Sequence, residues 1–154
     1  MPLFPTLLLS LNVLIDPTQF AKLVELDTKT RAVSELVVES TVCIEIGVDF
    51  REGHGSGTII SDDGLILTAG HVGERSGLDC EVTLADGRKL EAVTLGQIFM
   101  TQVHRKINFD SGYDFDIGLV RLLEPPDDLT VAPLAPSNSV EIGEWVVAAG
   151  WVGD

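Results

Sequence analysis

The sequence predicts an all-β domain, a six-stranded antiparallel barrel, preceded by an N-terminal helix. Three observations carry that expectation. The hydrophobic period changes from helical spacing to strict alternation near Ser40. Beyond that point, short apolar runs are separated by Asp-Gly turn signals. The 154 residues, 45% of them hydrophobic and 22% charged, are enough for one domain with a core of its own.

Residues 1–39 are expected to form an N-terminal segment. Its first fifteen residues, MPLFPTLLLSLNVLI, have the apolar core of an export signal. No Lys or Arg precedes that core, and no small-x-small cleavage site follows it. The run is too short for a transmembrane helix, and Asp16-Pro17 ends it. A docked or frayed N-terminus is the preferred expectation, export to the periplasm or cell exterior the alternative, and no membrane partner is expected. A helix is predicted over about 17–38, with Asp16 as N-cap and Pro17 at the first helical position. Phe20, Leu23, Val24, Leu26 and Val33 recur there at roughly helical spacing.

The barrel is expected over residues 40–154. TVCIEIGV alternates Val42, Ile44, Ile46 and Val48 against Cys43, Glu45 and Gly47, the period of a half-buried strand. SGTIIS meets LILTAG through Asp62-Asp63-Gly64, and CEVTL meets KLEAVTLG through Ala85-Asp86-Gly87. In both turns glycine supplies the positive φ of a hairpin. Gly96–Phe115 is the longest irregular stretch and is expected to be a surface loop. DIGLVRLL follows, closed by Glu124-Pro125-Pro126. A last strand is expected in EWVVAAGW, after a turn at Val140–Gly143. Six or seven short strands with hairpin turns suit a small antiparallel barrel or sandwich.

The formal charge of −14 argues against a nucleic-acid partner, which needs a basic stripe to displace counterions. The two cysteines, Cys43 and Cys80, form no C-x-x-C pair, so no zinc or redox motif is expected. On alternation, Cys80 shares a face with Val82 and Leu84, whereas Cys43 shares one with Glu45. Side chains on opposite faces do not bridge, and free thiols are expected.

Two residues stand out for chemistry. His71 ends the apolar run GLILTAG, flanked by small residues that leave its imidazole accessible. A base that must reach both a nucleophile and an orienting carboxylate needs such access; the bland alternative is a histidine that finds one partner and does nothing. Asp116 heads the apolar strand IGLVRL, where a carboxylate can be aimed inward. Asp110 and Asp114 compete with it, and a strand-cap aspartate is the ordinary alternative. His54, in a glycine-flanked loop, and His104, beside Arg105 and Lys106, are expected to be solvated. No two histidines share a spacing suited to a metal, so neither a metal nor another cofactor is expected.

In their order, GSGTIIS-DDGLILTAGHV, VTLADGRKLEAVTLG, DFDIGLVRL and IGEWVVAAGW resemble the first half of a trypsin-like serine protease, in its HtrA/DegP-like branch. The resemblance covers roughly residues 40–151. It implies the first barrel of the chymotrypsin-like fold, with His71 as general base and Asp116 as orienting acid. An imidazole nitrogen should then lie within roughly 3.5 Å of an Asp116 oxygen. Gly55, Ser56 and Gly57 match the glycine-rich entry to the family's second strand, which makes Ser56 structural.

The family's nucleophile belongs to a G-[ND]-S-G-G motif on a second barrel, together with the oxyanion hole and substrate pocket, and none of this chain's serines lies in that context. The expectation is a serine endopeptidase acting on proteins or peptides, present as a fragment that lacks the nucleophile half and is inactive alone. The alternative is a non-catalytic pseudo-protease barrel acting as a binding module. An uncovered inter-barrel face near AAGWVGD would favour self-association.

Overall fold

The computed structural model describes residues 16–48, 51–73, 75–98 and 116–151. The chain divides into two compact units, Met1–Glu35 and Leu36–Asp154.

Helix α1 runs Pro17–Ser40, two residues beyond the predicted end. Asp16 caps it: its Oδ1 accepts the Thr18 amide at 2.8 Å, and its carbonyl accepts the first helical bond, from Phe20, at 2.9 Å. The ion pairs Glu25–Lys29 (2.7 Å) and Asp27–Arg31 (2.9 Å) place the acid one turn before the base, the favourable orientation along a helix. No described helix is long and apolar enough to cross a membrane.

The second unit begins within the last turn of α1, which leads into the barrel without a linker. Buried Ser40 donates its hydroxyl to the Leu36 carbonyl at 2.8 Å, and Thr41 donates to Val37 at 2.6 Å. These hydroxyls share carbonyls one turn back with the helix's own amides, the back-bonding that bends a helix at Ser and Thr.

The strands are β1 (Thr41–Val48), β2 (Arg51–Ile59), β3 (Leu65–Thr68), β4 (Asp79–Thr83), β5 (Lys89–Ile98) and β6 (Ile117–Leu122). They form a closed barrel in the order β1-β2-β3-β6-β5-β4, every pairing antiparallel. Alternation fills the interior with Val42, Ile44, Ile59, Ile66, Cys80, Val82, Leu84, Ala92, Val120 and Leu122. Both hairpin turns form as predicted, with Gly64 at φ 80° and Gly87 at φ 88°. Cys43 and Cys80 are free and buried. Cys43 faces away from the core residues Val42 and Ile44 but is covered nonetheless.

Three expectations need correction. His54 lies in β2, opposite Glu45, and not in a loop; the long partner β1 carries pairing through the Gly53 and Gly55 positions, overriding their weak strand preference. The presumed loop at Gly96–Phe115 begins inside β5, which runs to Ile98 by way of a bulge at Thr94/Gly96; the remainder lies outside the described residues. EWVVAAGW forms no strand. The barrel closes through β4 on β1, so a seventh strand has no open edge to join.

After β6 the chain returns along the barrel. Ala132 donates its amide to the Ile59 carbonyl at 2.9 Å, while Leu129 and Val131 pack on the core. A short 3-10 turn at Ser137–Ser139 leads to the exposed stretch Glu144–Trp151, whose last amide is held by the Ser56 hydroxyl at 2.8 Å.

Candidate active site

Strands β3 and β6 are antiparallel neighbours, with Thr68 opposite Gly118. Two positions past Thr68 lies Gly70, and two positions before Gly118 lies Asp116, so the register brings the end of β3 against the start of β6. There the chain makes a tight turn, Val72 donating to the Ala69 carbonyl and Gly73 to that of Gly70, each at 3.1 Å. The turn places His71 at the barrel rim, its ring 73% exposed.

The imidazole Nδ1 is 2.6 Å from Asp116 Oδ2, and the His71 backbone amide donates to Oδ1 at 2.8 Å. Both carboxylate oxygens are therefore engaged by one residue. The imidazole hydrogen bond, then the backbone one, holds the Asp116 carboxyl below its ordinary value of 3.8. At neutral pH Asp116 is accordingly an ionised, acceptor-only group. The proton between the two side chains must then sit on Nδ1, which leaves Nε2 as the basic nitrogen.

Asp110, Asp114 and His104 lie outside the described residues. His54 is exposed, with Nε2 3.7 Å from Glu45 Oε1. Among the described residues no group of three His, Cys, Asp or Glu side chains is arranged to hold a metal. The hydroxyls of Ser34, Ser40, Ser56, Ser61 and Ser139 are each bonded away from His71. As seen among the described residues, the arrangement can accept a proton at Nε2 and stabilise the resulting imidazolium through Asp116.

Two supporting residues were not singled out in the sequence. Thr94 is fully buried; its hydroxyl donates to the Arg75 carbonyl and accepts the Leu78 amide at 3.0 Å. It pins the segment that follows His71 to β5. A threonine in an alternating strand carries no sequence mark of such a role. Gly70 is the other: it lies directly against Asp116, and it reads in the sequence only as a small residue near the histidine.

The family model for the trypsin-like peptidase domain matches residues 55–154. The "Probable periplasmic serine endoprotease DegP-like" of Hahella chejuensis is 37% identical over 105 residues, covering 68% of this chain and 19% of that protein. Its namesake in Halomonas elongata is 33% identical over 100 residues, 65% of this chain and 18% of that one. "Serine protease HTR4" of Rattus norvegicus is 31% identical over 126 residues, 77% of this chain and 22% of that one. The chain thus spans about a fifth of the length of these relatives.

Proposed function

We propose that this chain, which belongs to the trypsin-like peptidase family and has its relatives in the HtrA/DegP-like branch, supplies the base and orienting acid for serine-type hydrolysis of peptide bonds. His71 takes the proton of a serine hydroxyl at Nε2 and returns it to the leaving amine. Asp116 fixes the Nδ1–H tautomer and stabilises the imidazolium formed in between. The substrates are proteins or peptides, as the relatives' names suggest. The observation that carries this reading is the pair of hydrogen bonds between His71 and Asp116, at 2.6 and 2.8 Å. That arrangement orients an exposed imidazole without consuming its second nitrogen.

We further propose that the 154 residues alone are inactive, because triad members act as a unit with an oxyanion site, and no serine here sits in a G-x-S-G-G context. A fluorophosphonate probe tests both points. The chain alone should take no label. The product of its full reading frame, where a further barrel is encoded, should label at a serine, and His71→Ala should slow labelling by at least about 10²–10⁴-fold. Stoichiometric labelling of the chain alone, lost in His71→Ala, would overturn the inactivity. Labelling of the longer product that is indifferent to His71 would overturn the assignment of the base.

A further inference from the structure

Along the return of the chain past β6, Ala132 is bonded to the barrel through the Ile59 carbonyl at 2.9 Å. The next such bond is at Trp151, whose amide donates to the Ser56 hydroxyl at 2.8 Å. Among the described residues, the hydrogen bonds of 133–150 are local, joining Ser139 to Pro136 and Glu144 to Glu141. Local bonds shape a segment without fixing where it lies, and Ile142, Trp145 and Val146 are strongly exposed. The Ser56 hydroxyl thus sets where the chain meets the barrel again. Gly150 lies against it too: a Cβ built there would be 3.4 Å from Ser56 Oγ.

The place of Ser56 in β2 gives that meeting point its significance. Its backbone carbonyl accepts the hydroxyl of buried Thr68 at 2.8 Å, and Thr68 ends β3 just before the turn that bears His71. The neighbouring Gly55 packs against Val72, the residue after His71. Val72 methyls fill the space beside it, 2.6 and 2.7 Å from where a Cβ would stand. Two consecutive residues of β2 therefore touch the chain on both sides of His71, and the side chain of one of them also holds Trp151. We propose that Ser56 is a positioning residue: its hydroxyl keeps Gly150–Trp151 beside the His71 turn, so that the residues beyond are laid down on the side of the base. The proposal rests on reading His71 as that base, and Ser56 acts through Trp151 without touching the reacting atoms.

The test compares Ser56→Ala and Ser56→Thr with the parent chain. Alanine removes the hydroxyl but keeps the carbonyl that Thr68 uses, so the contacts beneath the His71 turn remain. Threonine restores a hydroxyl. Hydrogen exchange at the Trp151 amide, followed by NMR, should accelerate by at least about fivefold in Ser56→Ala, the effect of losing one hydrogen bond. It should return to the parent rate in Ser56→Thr, while the Val72 amide stays unmoved in both. In a Trp145→Phe background Trp151 is the remaining tryptophan, and Ser56→Ala should shift its emission to the red. Unchanged Trp151 exchange in Ser56→Ala, acceleration spread equally over β2 and β3, or no recovery in Ser56→Thr would overturn the proposal.

Fluorophosphonate labelling of the full reading-frame product reads the consequence for the site. Ser56→Ala should slow labelling by roughly 10-fold to 10²-fold, the scale of a misplaced reacting group. Its pH dependence should match the parent's, because His71 and Asp116 keep their own bonds. Ser56→Thr should recover the rate. An unchanged rate, or a pH dependence displaced as in Asp116→Asn, would overturn the positioning role. The two readings fail separately. A Trp151 amide freed by Ser56→Ala, with labelling indifferent to His71, would keep the tie and refute the base. A Trp151 amide indifferent to Ser56, with His71 still required, would do the reverse.

Discussion

His71 and Asp116, 45 positions apart in the chain, are joined twice: imidazole Nδ1 to Oδ2 at 2.6 Å and backbone amide to Oδ1 at 2.8 Å. The second bond matters as much as the first. A carboxylate held by one bond can rotate about it, whereas one held at both oxygens has a fixed plane and fixes the ring it faces. The antiparallel register of β3 and β6 brings the two residues together, so the pair's geometry is a property of the barrel itself.

Acid should weaken this contact in a defined window. A carboxyl whose folded-state value is depressed contributes stability above its unfolded value and loses it as pH falls through the folded one. Asp116 is such a group. Asp116→Asn should therefore melt below the parent at about pH 6, and the gap should close as pH falls below the ordinary value of 3.8. Asp63 and Asp86 are depressed too, chiefly by Ser61 and by the Arg88 backbone respectively, but they are present in both proteins and cancel. Thermal melts across the acid range check this. A gap that persists or widens in acid would contradict it.

Thr94 makes the case for support at a distance. Thr94→Val keeps the shape but strips the hydroxyl from the Leu78 amide and the Arg75 carbonyl. Leaving the part-buried Leu78 amide unpaired costs about 1 kcal/mol. Hydrogen exchange should accelerate first at Leu78, ahead of the core strands. Uniform acceleration across the barrel, or none, would show that the hydroxyl does not pin this segment.

The apolar C-terminal stretch should drive association. Trp145 is 87% exposed, Val146 78%, and Ile142 fully. Patches of this kind favour contact with a second surface, while the charge of −14 opposes it less as salt screens repulsion. Sedimentation should show self-association that increases with ionic strength. A monodisperse monomer in both low and high salt would favour a self-sufficient binding module over half of a protease.

The parts of this fold that were legible in the sequence are those set by local physics. Alternation at Val42, Ile44 and Ile46 placed β1, and the Asp-Gly turns at Gly64 and Gly87 placed two hairpins. What escaped depends on tertiary context. The glycine-flanked setting of His54 reads as loop because its glycines disfavour strand, yet β1 holds it in register. Glu144–Trp151 reads as strand from its apolar residues, yet a closed barrel offers it no edge. At the site, the setting of His71 was visible as a histidine among small residues ending a strand, and that of Asp116 as an acid heading one. The fit of Gly70 against Asp116 and the clasp of Thr94 depend on which strands become neighbours, and no single stretch of sequence records that.

We propose that Asp116 fixes His71 with its proton on Nδ1, leaving Nε2 free to act as base. The most direct test is the ¹⁵N NMR spectrum of the neutral His71 imidazole in the folded chain. A protonated Nδ1 and an unprotonated Nε2 are expected, with that preference lost in Asp116→Asn. A neutral ring protonated at Nε2, or a tautomer mixture that Asp116→Asn leaves unchanged, would contradict it.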